Sequence, residues 1–131
     1  MPVTESIKGV LAVAAGGAFG AVCRYLISVV FGSRPTKFFV LSGTVVANVL
    51  GCFCIGLAVA ALPKEAVTVR LLLITGVLGS LTTFSTYSYE TVALVQRRAY
   101  VLAIANALGS VIAGLLAVGL GLWIGSRLRG T

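Results

Sequence analysis

Gly79-Ser80-Leu81-Thr82-Thr83-Phe84-Ser85-Thr86-Tyr87-Ser88-Tyr89-Glu90 interrupts a chain that is otherwise almost uniformly apolar. Six hydroxyl side chains (Ser80, Thr82, Thr83, Ser85, Thr86 and Ser88) fall within nine positions. Phe84, Tyr87 and Tyr89 stand among or just after them, and the Glu90 carboxylate closes the run. Polar groups are costly in hydrocarbon, so a cluster this dense must face protein, water or an ion.

The surroundings make hydrocarbon the relevant solvent. Of 131 residues, 59% are hydrophobic and only 10% charged, and the mean hydropathy is +1.10. A soluble domain of ordinary composition is excluded. A secreted protein behind a signal peptide does not fit either, because the apolar character continues to the C-terminus. The length suits one domain, 1–131. Cys23, Cys52 and Cys54 are an odd count inside apolar runs, which argues against a disulfide framework and for small packing residues. The chain has no His and no Asp, so a transition-metal site and a Ser/His/Asp triad are both out of reach. No Gly-x-x-x-x-Gly-Lys loop is present to cradle a phosphate. The chain therefore reads as no enzyme. Its net charge of +7 comes from bases sitting mostly at the ends of apolar stretches, where they anchor helices at lipid headgroups rather than bind nucleic acid.

Four stretches reach the roughly 20 residues of helix that cross a bilayer. They run over about 7–31, 38–62, 69–95 and 99–124. Pro35 breaks the first loop, Pro63-Lys64-Glu65 the second, and Gln96-Arg97-Arg98 makes a tight third turn. These segments do not alternate polar and apolar, as barrel strands must. The predicted fold class is an all-α membrane protein of four transmembrane helices.

Charge counting bears on orientation. Lys8, Lys64, Arg70, Arg127 and Arg129 fall on one side, and Arg34, Lys37, Arg97 and Arg98 on the other. Five bases against four is almost no positive-inside bias. Insertion in both orientations follows, with two copies pairing antiparallel about an axis in the membrane plane. A single fixed topology with a weak bias is the rival reading. Gly16-x-x-x-Gly20, Gly17-x-x-x-Ala21, Ser110-x-x-x-Gly114 and Gly121-x-x-x-Gly125 let helix backbones approach closely.

The third span is expected to be a broken helix. Val69–Leu78 is about one half-span, Gly79-Ser80 interrupts it, and a second half starts near Phe84. Broken backbone at membrane depth survives only when buried in protein or lining a cavity. Its carbonyls can hold a cation, and the N-terminus of the second half can attract an anion. A Ser/Thr-rich kinked helix with its hydroxyls bonded to its own turns is the plainer alternative. Phe84 and Tyr87 share a face, as do Thr83 with Tyr87 and Thr86 with Glu90. Ring edges are positive and can touch a small anion without a formal charge. Thr44 and Asn48 lie one turn apart and can donate to an anion, or bond across a helix interface. Asn106 and Ser110 form a polar stripe that ends before Val118. Glu90 is a proton carrier, a cation ligand or a structural partner for Thr or Tyr. Arg24 snorkels to the interface or stands at the rim of an anion path.

These motifs resemble the Fluc (CrcB-like) fluoride channel family. Gly16-Gly17 through Gly20-Ala21 and Arg24-Tyr25 is similar to the family's GGxxGAxxRY. Gly43-Thr44 with Asn48 and Gly51 is similar to GTxxxNxxG, and Gly79 through Thr82-Thr83-Phe84-Ser85-Thr86 to Glu90 is similar to GxxTTFSTFSxE. The resemblance implies an antiparallel dual-topology homodimer in the inner (plasma) membrane, with two fluoride pathways, passing fluoride out of the cytoplasm. It implies a structural sodium ion at the dimer centre, held by the backbone carbonyls of Gly79 and Thr82. It implies a pathway over Asn48 and Phe84, with Tyr87 standing where the family has a second Phe. The polar track of the fourth helix would be Asn106 and Ser110, with Tyr100 near its mouth. Thr44, Thr83, Thr86, Ser88, Glu90 and Arg24 complete the candidate set.

Fluoride holds its water tightly, so a pore must replace that shell with close donors. A formal positive charge in the narrows would slow release, and no Lys or Arg lies in the middle of a span. Two other classes are weighed. A proton-coupled exporter like the small multidrug transporters carries its Glu in the first helix, where this chain has none, so Glu90 would have to serve. A small assembly subunit would transport nothing.

The near balance of charge yields a topological test. A C-terminal reporter should mark both sides of the membrane in comparable amounts, and two lysines added beside Arg97 and Arg98 should drive it to one side. A wild-type reporter confined to one side refutes dual insertion.

Overall fold

The computed structural model describes residues 3–32 and 42–129, with the backbone alone for 3–5. Among these residues the chain is all helical, without strands. Helix α1 spans Val3–Phe31 and α2 spans Gly43–Ala61. The third span begins as α3, Val67–Arg70, winds as a π-helix over Leu71–Leu78, and returns to α-helix as α4, Gly79–Leu81. After two non-helical residues α5 covers Phe84–Gln96, and α6 runs over Tyr100–Arg129. By length and composition four helical runs can cross a membrane: Ser6–Phe31, Gly43–Ala61, Val67–Gln96 and Tyr100–Arg129.

Three local details differ from the expectation drawn from sequence. The expected start of the second span, 38–41, lies outside the described residues, as do Arg34, Pro35 and Lys37. Helix α2 starts at Gly43 because Ser42 caps it, its Oγ accepting from the Val45 amide at 3.3 Å. The last helix continues past 124 into the basic tail. There the Arg127 guanidinium sits 5.5 Å from the Trp123 ring, a cation over an aromatic face at a helix end. Gly79-Ser80 does not interrupt the third span: both residues are helical, with Gly79 at φ −63, ψ −29. The extended residues are Thr82, at ψ 152, and Thr83, at φ −148, ψ 122. A glycine permits a break but does not impose one. β-Branched threonines whose hydroxyls cap both helix ends supply a competing arrangement for the backbone.

Two glycine seams bring backbones into contact. A Cβ on Gly16 would strike the Leu72 carbonyl, and one on Gly76 would lie 2.9 Å from the Gly16 Cα, so α1 and the π-helical segment touch without side chains between them. On the other flank a Cβ on Gly121 would strike the Phe53 carbonyl and approach the Leu57 amide at 2.9 Å, joining α6 to α2. Buried apolar residues are few. Ala47, Leu78 and Leu81 form a small core at the middle of the bundle, beside the extended residues. Much of the remaining apolar surface, such as Val30 at 75% and Val101 at 81%, faces outward. That distribution suits lipid or a second protein surface.

The α2–α6 seam generates a stability prediction. Gly121→Val should lower stability by about 1–3 kcal/mol, because the added carbons meet backbone that cannot rotate away. Thermal unfolding in detergent would check it, and an unchanged midpoint would disprove the close approach.

Candidate functional site

The two extended residues have lost their place in a helical ladder, and the fold restores their hydrogen bonds from outside. Asn48, on α2, turns its carboxamide onto Thr83. Its Oδ1 accepts from the Thr83 amide at 2.8 Å, and its Nδ2 donates to the Thr83 carbonyl at 3.2 Å. A side chain thus pairs with both peptide groups of one residue, as a neighbouring strand would. The helix ends on either side are closed locally. Thr82 Oγ1 donates to the Leu78 carbonyl at 3.0 Å, and the Thr82 amide reaches the same oxygen at 3.1 Å. Thr83 caps α5, its Oγ1 accepting from the Thr86 amide at 3.3 Å.

This junction has a consequence for its carbonyls. The Thr83 amide is bonded to Asn48, so the Gly79 carbonyl loses its customary donor four residues on. It stands at the C-terminal, electronegative end of a helix, beside the extended Thr82 backbone. Backbone oxygens in that setting are hard donors of the kind a small alkali cation takes. Among the described residues there is no group of three His, Cys, Asp or Glu that would hold a metal by side chains.

Two clefts meet at the junction, and Thr83 lines both. The first, of about 390 Å³, is bounded by Arg24 and Tyr25 of α1, Thr44 of α2, and Thr86, Tyr89 and Glu90 of α5. Glu90 is 6% exposed, and its Oε1 accepts from Thr44 Oγ1 at 2.7 Å. A carboxylate at membrane depth is met by a hydroxyl rather than by a base. Arg24 lines the same cleft, a cation among its walls. The second cleft, of about 430 Å³, is lined by Asn48, Cys52, Thr82, Phe84, Tyr87 and Ser110, among others. Phe84 and Tyr87 stand 5.6 Å apart between ring centroids and are inclined by 38°. Phe84 is 79% exposed, whereas the Tyr87 hydroxyl donates to the Ala107 carbonyl of α6 at 2.9 Å.

The candidate set is thus partly assembled. Arg24, Thr44, Thr86 and Glu90 share the first cleft; Asn48, Phe84, Tyr87 and Ser110 share the second; Thr83 belongs to both. Gly79 and Thr82 border the second cleft as well. Ser88 and Tyr100 line neither, and Tyr100 is exposed at the start of α6. Asn106 also lines neither, being buried between α5 and α6, where its Nδ2 donates to Thr91 Oγ1 at 2.6 Å. Thr91 is a polar residue that the reading of the Gly79–Glu90 run passed over. Its place four residues after Tyr87, whose carbonyl it bonds at 2.8 Å, continues the same hydroxyl series and was the available signal. Tyr89, Tyr25 and Cys52 reach the clefts without a signal in spacing alone.

Four apolar runs crossed at one level by a seam of hydroxyls, amides and rings define a small multi-pass membrane protein with a polar interior. Comparison with known sequences narrows this. The model of the family described as CrcB-like protein, Camphor Resistance (CrcB), matches residues 11–122, and the chain belongs to that family. The fluoride-specific ion channel FluC 1 of Leifsonia xyli subsp. xyli (strain CTCB07) is 46% identical over 121 residues, covering 88% of this chain and 85% of the relative. The fluoride-specific ion channel FluC of Solibacter usitatus (strain Ellin6076) is 41% identical over 121 residues, covering 90% and 95%. That of Chloroflexus aurantiacus (strain ATCC 29366 / DSM 635 / J-10-fl) is 40% identical over 126 residues, covering 91% and 99%.

The Asn48 brace is open to test by stability. Asn48→Leu leaves both Thr83 peptide groups without their partner and should lower stability by about 2–6 kcal/mol, at 1–3 for each group. Thermal unfolding of the purified variant measures this, and a shift as small as that of a surface substitution would show that the bonds are dispensable.

Proposed function

We propose that this chain is a fluoride-selective ion channel that lets fluoride leave the cytoplasm passively, and so lowers its toxicity. The observation that carries the reading is the Thr82–Thr83 junction, lying inside the region matched by the family whose relatives are named fluoride-specific ion channels. At that junction the third span is a broken helix in the functional sense. Its hydroxyls, the Asn48 amide and the edges of Phe84 and Tyr87 replace the water that a small, strongly hydrated anion must shed. Thr44, Thr83, Thr86 and Glu90 continue the polar surface in the first cleft and Ser110 in the second, whereas Ser88, Asn106 and Tyr100 stand behind or beyond both clefts. Arg24 raises the local fluoride concentration at the mouth without standing in the narrows.

The working unit in this reading is an antiparallel, dual-topology homodimer in the plasma membrane, the inner membrane of a cell that has two. Near-equal loop charge supports it. So does the Phe84 ring, which is 79% exposed beside an open cleft and requires a second surface to form a closed passage. A structural sodium ion at the dimer centre would be held by the Gly79 and Thr82 carbonyls. The freed Gly79 oxygen, in the last turn of the 67–81 helical run, fits that role, and the ion would pin two junctions together. A proton-coupled exporter is disfavoured by the channel names of the relatives. It would also leave Glu90, already met by Thr44, as the sole carrier.

Purified protein in liposomes loaded with both ions should release fluoride and retain chloride, read with ion-selective electrodes. Comparable chloride release overturns the selectivity, and flux that follows an imposed proton gradient favours the exporter. Asn48→Asp should suppress fluoride release by about a hundredfold or more, since a carboxylate repels the anion by several kcal/mol at close range in a partly desolvated site. Unchanged flux would take Asn48 off the pathway.

A further inference from the structure

The seam between α5 and α6 contains a hydrogen-bond chain whose protons can be counted. Thr91 has one hydroxyl proton and donates it to the Tyr87 carbonyl at 2.8 Å. Toward Asn106 it can therefore only accept, and Asn106 Nδ2 is the donor, at 2.6 Å. That count fixes the carboxamide: its nitrogen faces Thr91, and its oxygen is directed elsewhere. Asn106 is 1% exposed, and its Oδ1 meets no donor among the described residues. One helical turn on, along the same face of α6, the buried Ser110 Oγ has no partner either. Ser110 also lines the cleft that holds Asn48, Phe84 and Tyr87.

A buried acceptor without a donor is strongly unfavourable, and two unpaired polar atoms one helical turn apart, the Ser110 hydroxyl beside a cleft and the Asn106 oxygen buried behind it, are where an ordered water belongs. We propose that Asn106 Oδ1 and Ser110 Oγ together hold one water molecule. The water accepts the Ser110 proton and donates one of its own to Asn106 Oδ1. Its second O–H is then free to point into the cleft. Other occupants fit less well. A bare anion is repelled by the amide oxygen, and two oxygens are too few for a bare metal ion. Asn106 thus acts as a positioning residue, setting a neutral donor at the wall instead of touching the ion. The water site rests on the hydrogen bonds alone, whereas its service to the ion rests on the fluoride reading above.

Density for the purified protein in lipid, at a resolution that resolves solvent, should show a water within hydrogen-bonding distance of both atoms, absent in Asn106→Leu. A dry gap, or Ser110 bonded directly to Asn106, overturns the site. In liposome efflux Ser110→Ala and Asn106→Leu should each slow fluoride release about fivefold, and the double variant should be no slower than the slower single, because each change removes the same water. Multiplied losses, or unchanged rates in the single variants, overturn the donor role. Ser110→Ala carries both readouts alone if Asn106→Leu does not fold. Wild-type protein that shows the water yet releases no fluoride upholds the site and defeats the fluoride reading instead.

Discussion

Asn48 pairs with both peptide groups of Thr83, and the rest of the polar interior depends on that pairing. In water an extended residue between two helices would be solvated at little cost. At membrane depth each unpaired N–H or C=O costs several kcal/mol, so an interruption persists only if another part of the protein replaces the missing ladder. The carboxamide is well suited to this, since it carries a donor and an acceptor side by side in one plane. With Thr83 held, α5 starts afresh at Phe84. The threonines there close the two helix ends with their own hydroxyls, and Thr82, Thr83 and Thr86 also line the clefts.

The apolar frame serves that junction. Gly16 and Gly76 bring α1 onto the π-helical segment, while Gly56 and Gly121 bring α6 onto α2, in each case with backbone against backbone. Close approach is what places Asn48 within reach of Thr83 and the Tyr87 hydroxyl within reach of the Ala107 carbonyl. Larger residues at these seams would separate the helices by more than a hydrogen bond tolerates. The wider spiral of Leu71–Leu78 belongs to the same economy, because departures from the α-helical ladder gather where a membrane protein needs irregular backbone.

Between the two clefts, formal charge is confined to the first, since no Lys, Arg, Asp or Glu lines the second. Glu90 is answered by Thr44, not by a base, and Arg24 lines the same cleft. Neutral donors dominate the centre: hydroxyls, amides and ring edges. In the proposed channel, donors of this kind would replace the hydration of a small anion without creating a well too deep to leave. The same neutrality explains why orientation of donors matters so much, since a reversed amide at Asn106 would present the opposite sign of partial charge.

A large part of this protein was legible in its sequence. Span number, the all-helical class and the concentration of polar groups between Gly79 and Glu90 follow from hydrophobicity and from the cost of polar groups in lipid, which act locally and leave a mark on composition. The small-residue spacings at Gly16/Gly20 and Gly121/Gly125 correctly marked helix contacts, for the same local reason. Tertiary structure alone decided where the third span departs from helix. Glycine at position 79 allowed a break that the fold placed at Thr82 and Thr83, because Asn48, from another helix, supplies partners there. It also decided which polar residues meet: Ser88 and Tyr100 line neither cleft, Thr91 enters the network, and Asn106 donates to Thr91 while its Oδ1 stays unpaired. Those outcomes turn on which side chain lies opposite which across helix seams, a matter of packing distance and proton count that no single segment of the chain encodes.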